Sequence, residues 1–418
     1  MMAQAKSKIY RQVRVIDPIS ATDTITDVWV EDDVIKEINP SISAPHHSEI
    51  LSGEGLILAP SLADIYSRSG EPGYEERETL ESLNKTAQAG GFNHSALLPN
   101  TDPVMDNPAV VALIRSRSAD FPTQFHCWGA LTQGRQGKIM AELGALVSAG
   151  VVGFTDNRAW DNLLLLRRLL EYARPFNLPV ALVPSNLQLR GEGVIREDQN
   201  SLALGLEGNP AISETIAIAS LMELGALTQT PIHLMRISTA RGVELIKKAK
   251  EEGLAITASV NWHHLILNSQ AVASYNPNLR LEPPLGSEMD RLALVEGIKT
   301  GVIDMIAVDH TPYTYEEKTV AFAEAPSGAI GYELILPLLW HNLIMTKQLS
   351  PVQLWRALSL KPLEFLRQNF IPIQEGKKAE FIIFDPLKEW QVIPSQLQSK
   401  SYNTYGLNQK IQGRIVKV

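Results

Sequence analysis

Leu58-Ala59-Pro60-Ser61-Leu62-Ala63-Asp64-Ile65-Tyr66-Ser67-Arg68-Ser69-Gly70-Glu71-Pro72-Gly73 decides how the rest of this chain reads. An apolar run from Leu56 to Leu62 climbs to a polar end. A Glu-Pro-Gly turn follows, and the charged segment up to Thr79 opens a helix. That is the form of a first barrel strand, which delivers its last side chains to a barrel mouth.

Downstream, apolar strand candidates recur at 56–65, 94–98, 124–131, 151–156, 179–183, 231–237, 255–262 and 303–309. Most are followed by a helical pattern, such as residues 242–252. Eight units with near-continuously apolar strands predict a parallel (β/α)8 barrel over residues 58–364. A doubly wound open sheet is the alternative. The count of eight and the polar residues at nearly every strand's C-terminal end favour the barrel.

Upstream, residues 1–57 read as short strands: 13–18, 24–31 and 34–38. Residues 352–369 look helical, and after Ile371-Pro372 the chain returns to β texture at 379–386, 390–393 and 411–418, so that 365–418 is read as the C-terminal unit. The two chain ends are therefore expected to meet in one composite β-sandwich beside the barrel.

With 418 residues the chain can bury a large core and hold a smaller unit beside it. A net charge of −8 argues against nucleic acid or an anionic membrane surface as partner. The single cysteine, Cys127, excludes an internal disulfide framework and suits a reducing cytoplasm. The polar stretch from Met1 to Tyr10 has no apolar core of signal-peptide length, and no run approaches a membrane span.

Functional residues of such barrels sit at strand ends. There the chain reads Leu98-Pro99-Asn100-Thr101-Asp102-Pro103-Val104, Gly153-Phe154-Thr155-Asp156-Asn157, His233-Leu234-Met235-Arg236-Ile237-Ser238-Thr239-Ala240, Asn261-Trp262-His263-His264-Leu265 and Val308-Asp309-His310-Thr311-Pro312-Tyr313. Leu281-Glu282-Pro283-Pro284-Leu285-Gly286 and Glu324-Ala325-Pro326-Ser327-Gly328 lie between and beyond them. Taken alone, Pro-Asn-Thr is an ordinary capped turn, Asp156 a helix cap and His233 a packed strand histidine.

Together these motifs resemble the class I dihydroorotases of the amidohydrolase superfamily, from about Val15 to Asp385. That resemblance implies a barrel binding zinc and interconverting carbamoyl aspartate and dihydroorotate. It makes Asp156 and Asp309 retained metal positions, Asp309 also being the catalytic base position. It makes Asn100, Glu282, Tyr313, Ser327 and Gly328 substrate-binding positions. Glu282 stands for an asparagine, Tyr313 for a histidine, Asn157 for a second aspartate and Gly70 for a substrate-binding arginine. The metal-binding histidines are all replaced, by Tyr66, Arg68, Val183 and Arg236. Counting confirms part of the loss, since no histidine lies between His126 and His233.

Two aspartates cannot hold a zinc pair. No bound cofactor is therefore expected. Removing two dications would leave buried carboxylates unpaired, which is costly. Arg68 and Arg236 are expected to pair with Asp309 and Asp156 in place of the metals. Both arginines pointing to solvent is the plainer alternative.

Three functional readings remain. The resemblance implies a non-catalytic homologue, because dihydroorotase-like chains lacking the metal histidines occur as obligate partners of aspartate carbamoyltransferase. That reading carries an expected homo-oligomer. The second is an active dihydroorotase with a site rebuilt from Asp156, Asp309 and His263 or His264. The third is another small-molecule activity using Glu282, Tyr313 and Tyr66 as acid–base groups.

Overall fold

The computed structural model describes residues 7–46 and 48–416. Most of the polar N-terminal stretch and the last two residues of the closing β stretch lie outside the described residues.

Eight parallel strands follow one another in chain order round the barrel. They are Leu62–Ser67, Phe92–Leu97, Gln124–Gly129, Gly153–Phe154, Val180–Leu182, Ile232–Leu234, Ile256–Asn261 and Met305–Ala307. Every residue of the first strand is buried, as a strand covered on both faces requires. The ring closes between the last strand and the first. Arg68 N–H donates to the His310 carbonyl at 2.8 Å, and Val308 N–H donates to Asp64 Oδ1 at 2.9 Å. The barrel, not the open sheet, is the architecture.

The helices pack on the barrel by apolar stripes. Leu163–Ala173 buries Leu166, Leu169, Leu170 and Ala173, and its start is fixed by the Asn162 side chain accepting from Leu165 N–H. Ala240–Glu251 buries Gly242, Ile246 and Ala249, with Thr239 capping it.

Both chain ends meet in one seven-stranded sheet. Ser7–Asp17 pairs antiparallel with Thr22–Glu31, and Phe381–Gln391 pairs antiparallel with Lys410–Val416. One strand expected from sequence, 56–65, is really two. Ile57–Pro60 belongs to this end sheet, with Leu58 opposite Ile383, and Leu62–Ser67 begins the barrel. Pro60 has no N–H to continue a ladder. Its carbonyl instead accepts from Trp355 Nε1 at 3.0 Å, and the Ser61 carbonyl accepts from Ser359 Oγ at 2.5 Å. Trp355 meets Trp340 edge-on, and Trp340 meets Phe384, so aromatic packing locks sheet to barrel. Among the described residues no helix is long and apolar enough to cross a membrane.

Candidate functional site

Strand ends four, six, seven and eight converge on one ion pair. Arg236 Nε and Nη2 donate to the two carboxylate oxygens of Asp309, each at 2.7 Å. Arg236 Nη1 donates to Asn157 Oδ1 at 2.7 Å, and Asn261 Nδ2 donates to Asp309 Oδ2 at 3.1 Å. Both charged residues are buried, at 6% and 8% exposure, so solvent screens the pair little. Burial works against the guanidinium's charge, but Asp309 overcomes it and raises the Arg236 pKa.

The backbone at this junction is unusual. Asn157, Arg236 and Asp309 all have left-handed φ, at 48°, 55° and 49°. For a residue with a Cβ this costs on the order of 1–2 kcal/mol, and asparagine tolerates it best. The left-handed turn swings each side chain off its strand into the mouth, where Arg236 joins the other two.

The other expected pairing does not form. Arg68 reaches no carboxylate within ion-pair distance among the described residues. Its Nη1 donates to Tyr313 Oη at 3.1 Å, and its Nε is buried without a partner. Asp156 is turned away, accepting from Leu131 N–H, Thr132 N–H and the Thr132 hydroxyl. Three donors at the end of strand three satisfy it, so it needs no arginine. Burial nevertheless raises its pKa against those hydrogen bonds. Asp156 and Asp309 share no hydrogen-bond partner.

Zinc does not fit this donor set. The Asp309 oxygens are engaged by a guanidinium, Val183 has no donor atom, and Tyr66 points elsewhere. Its hydroxyl lies 2.8 Å from Ser259 Oγ and accepts from Arg236 N–H. Burial pushes the Tyr66 pKa up. Among the described residues no three His, Cys, Asp or Glu side chains are grouped to hold a metal. The His263–His264 pair does not rebuild one. His263 Nδ1 bonds Asn261 Oδ1 at 2.7 Å and His264 Nε2 donates to the Pro283 carbonyl at 3.1 Å. Burial holds His264 down to about 4. His233 is the packed strand histidine expected, between Thr257 and Ser259 hydroxyls.

A cleft of about 360 Å³ opens above the pair, bordered by Arg68, Val183, Glu282, Ser327 and Gly328. Glu282 faces Arg190 at 3.6 Å and Arg280 at 3.9 Å. Tyr313 Oη donates to the Ser327 carbonyl at 3.3 Å. Gly328 has φ of 128°, and a Cβ there would lie 2.5 Å from Thr311. The loop is held from below by Lys318 Nζ, which donates to the Pro326 carbonyl at 2.6 Å. Burial, then Arg280 and Arg68, lower Lys318 to about 7. Asn100 lies in a neighbouring cavity, its amide oxygen accepting from both η nitrogens of Arg135 at 3.1 and 2.8 Å.

Arg135, Arg158, Arg190 and Lys318 are the site residues that sequence reasoning missed. Gly134-Arg135-Gln136-Gly137 after strand three carried the available signal: glycines flanking a cation at a strand end. Arg158 directly follows Asn157.

An eight-stranded parallel barrel with an end sheet and its polar site at the strand C-termini is a scaffold shared by many enzymes and their homologues. L-hydantoinase (dihydropyrimidinase) from Arthrobacter aurescens shares this fold with a TM-score of 0.83 at 19% identity, over 98% of this chain and 93% of that one. Dihydropyrimidinase from Brevibacillus agri NCHU1002 gives 0.79 at 17% identity, over 98% and 93%. No family model matches the chain. Relatives by sequence are nearer. A probable dihydroorotase-like protein of Synechocystis sp. is 48% identical over 97% of this chain and 98% of its own length. A dihydroorotase of Pelobacter propionicus is 38% identical over 96% and 95%. The chain belongs to the dihydroorotase-like family of the amidohydrolase superfamily.

Proposed function

We propose that this chain is a non-catalytic dihydroorotase homologue of pyrimidine biosynthesis, acting in the cytoplasm as a structural or regulatory partner of aspartate carbamoyltransferase and assembling as a homo-oligomer. The bidentate Arg236–Asp309 pair supports this reading. Dihydroorotase chemistry requires an activated water and a Lewis acid on the ring carbonyl. Here the carboxylate at the base position is tied to a permanent cation. A guanidinium does not release a proton near neutrality, so Asp309 is held as an ion-pair partner rather than a free base.

Turnover with carbamoyl aspartate and dihydroorotate, with and without zinc, tests the proposal on protein whose metal content is measured. The expected result is no turnover and no bound zinc, with co-purification of aspartate carbamoyltransferase at a defined stoichiometry. Zinc-dependent turnover would establish the second reading, an active dihydroorotase. The relatives that bear that name at 35–38% identity favour it. A third reading is a different small-molecule activity in the cleft around Glu282 and Tyr313.

A further inference from the structure

The chain as a whole is acidic, with net charge −8, yet its barrel mouth is cationic. The larger cleft is bordered by four arginines against two carboxylates, and Asp309 is already consumed by Arg236. The adjoining cavity of about 140 Å³ is bordered by Arg68, Arg77 and Arg135 with no carboxylate. Arg77 is matched by Glu317. Arg68 and Arg135 have no such match within 4 Å among the described residues.

The atoms to which they hydrogen-bond directly are neutral. Arg135 Nε donates to the Asp156 backbone carbonyl at 2.9 Å, and its η nitrogens reach only the Asn100 amide. Arg68 has the Tyr313 hydroxyl and a buried, unpartnered Nε. Arg158, which borders the larger cleft, donates to the Ala159 and Arg135 carbonyls, and Asp161 stands 4.0 Å away. Like charges so arranged repel. Burial first, then Arg68, lower Arg135 to about 10, against the opposing charge of Asp156, with Arg158 adding to the lowering. A fold gains nothing from holding forked cations together without an anion, since each unmet donor in a cavity costs free energy. Forked guanidiniums match the oxygens of a compact dianion.

We infer that Arg68 and Arg135, with Arg158 at the rim, form a binding site for a small oxyanion of charge −2. Phosphate, or the phosphoryl group of a small metabolite, is the chemistry committed to; a short dicarboxylate presents similar oxygens. The site needs no metal, and it does not rest on the absence of turnover or on any carbamoyltransferase partner.

The test is calorimetric titration and thermal unfolding of the full chain with inorganic phosphate, and separately with malonate, at constant ionic strength. Saturable binding of phosphate is expected, with affinity falling roughly tenfold or more in Arg68→Met and Arg135→Met, as loss of a charged hydrogen-bonded contact predicts. Arg68→Lys keeps the charge without the fork and should also weaken binding, which covers the case of a methionine variant that fails to fold. Because Arg135 also holds the Asp156 carbonyl and the Asn100 amide, the readout that separates an anion site from a structural role is the rise in melting temperature with added phosphate, which should be lost in Arg135→Met whatever its melting point without ligand. Binding of malonate but not phosphate, with the same sensitivity, would assign a dicarboxylate and overturn the phosphoryl assignment. No saturable binding of either, or binding indifferent to Arg68 and Arg135, would overturn the site.

Discussion

Arg236 and Asp309 lie on strand ends six and eight and share two hydrogen bonds of 2.7 Å, each charge buried and each held by a left-handed backbone. A buried pair of this kind is not itself strong evidence of stability, because desolvating both charges offsets most of their attraction. Breaking it is another matter. Arg236→Met should cost on the order of 3–5 kcal/mol, by leaving Asp309 buried with only Asn261 as partner. The double variant Arg236→Met/Asp309→Leu should recover most of that loss. Urea unfolding of both singles and the double gives the coupling directly. Additive losses would mean that the two side chains do not depend on one another.

Asp64 links the first and last strands, accepting from Val308 N–H, Ser67 Oγ and Tyr332 Oη, and burial raises it to about 7. Its folded pKa exceeds the unfolded value near 3.8, so the folded state binds the proton more tightly. The stability it contributes is full below the unfolded value and is lost as pH rises toward 7. Linkage sets a ceiling on the order of 4 kcal/mol for that loss. Asp64→Asn should remove this component, so the difference in unfolding free energy between variant and parent should shift toward the variant from pH 4 to 7. A pH-independent difference would show that Asp64 titrates normally.

Gly328 supplies the positive φ at which the loop over the cleft turns back against Thr311. Gly328→Ala meets both a strained backbone and a Cβ contact of 2.5 Å with a side chain. A loss of about 1–3 kcal/mol is expected, with faster amide exchange of the loop near Ser327. An unchanged melting temperature would mean the loop relaxes freely.

Glu282 partly neutralises Arg190 and Arg280. Glu282→Gln should therefore make the cleft more cationic and tighten oxyanion binding, by up to about fivefold for a contribution of about 1 kcal/mol from these half-buried pairs. The phosphate titration reads this out. Weaker binding would mean that Glu282 organises the arginines rather than opposing the anion.

Local pattern carried the barrel. Eight apolar runs ending in polar residues specify parallel strands and a mouth, and apolar helix stripes specify which face packs inward. That Tyr66, Arg68, Val183 and Arg236 stand at histidine positions rests on the resemblance between motifs, which is also a property of the sequence. Partner choice is not. Asp156 and Asp309 look equivalent as sequence, yet one is satisfied by the N–H groups of Leu131 and Thr132 just after strand three and the other by Arg236. Arg68 and Arg236 look equivalent too, but only one meets a carboxylate. Ile57–Pro60 and Leu62–Ser67 form one apolar stretch in the chain and two strands in different sheets. Hydrophobic periodicity is a property of neighbours along the chain and survives in the sequence. Which donor reaches which acceptor depends on distances across the barrel, and those exist only after the strands have closed.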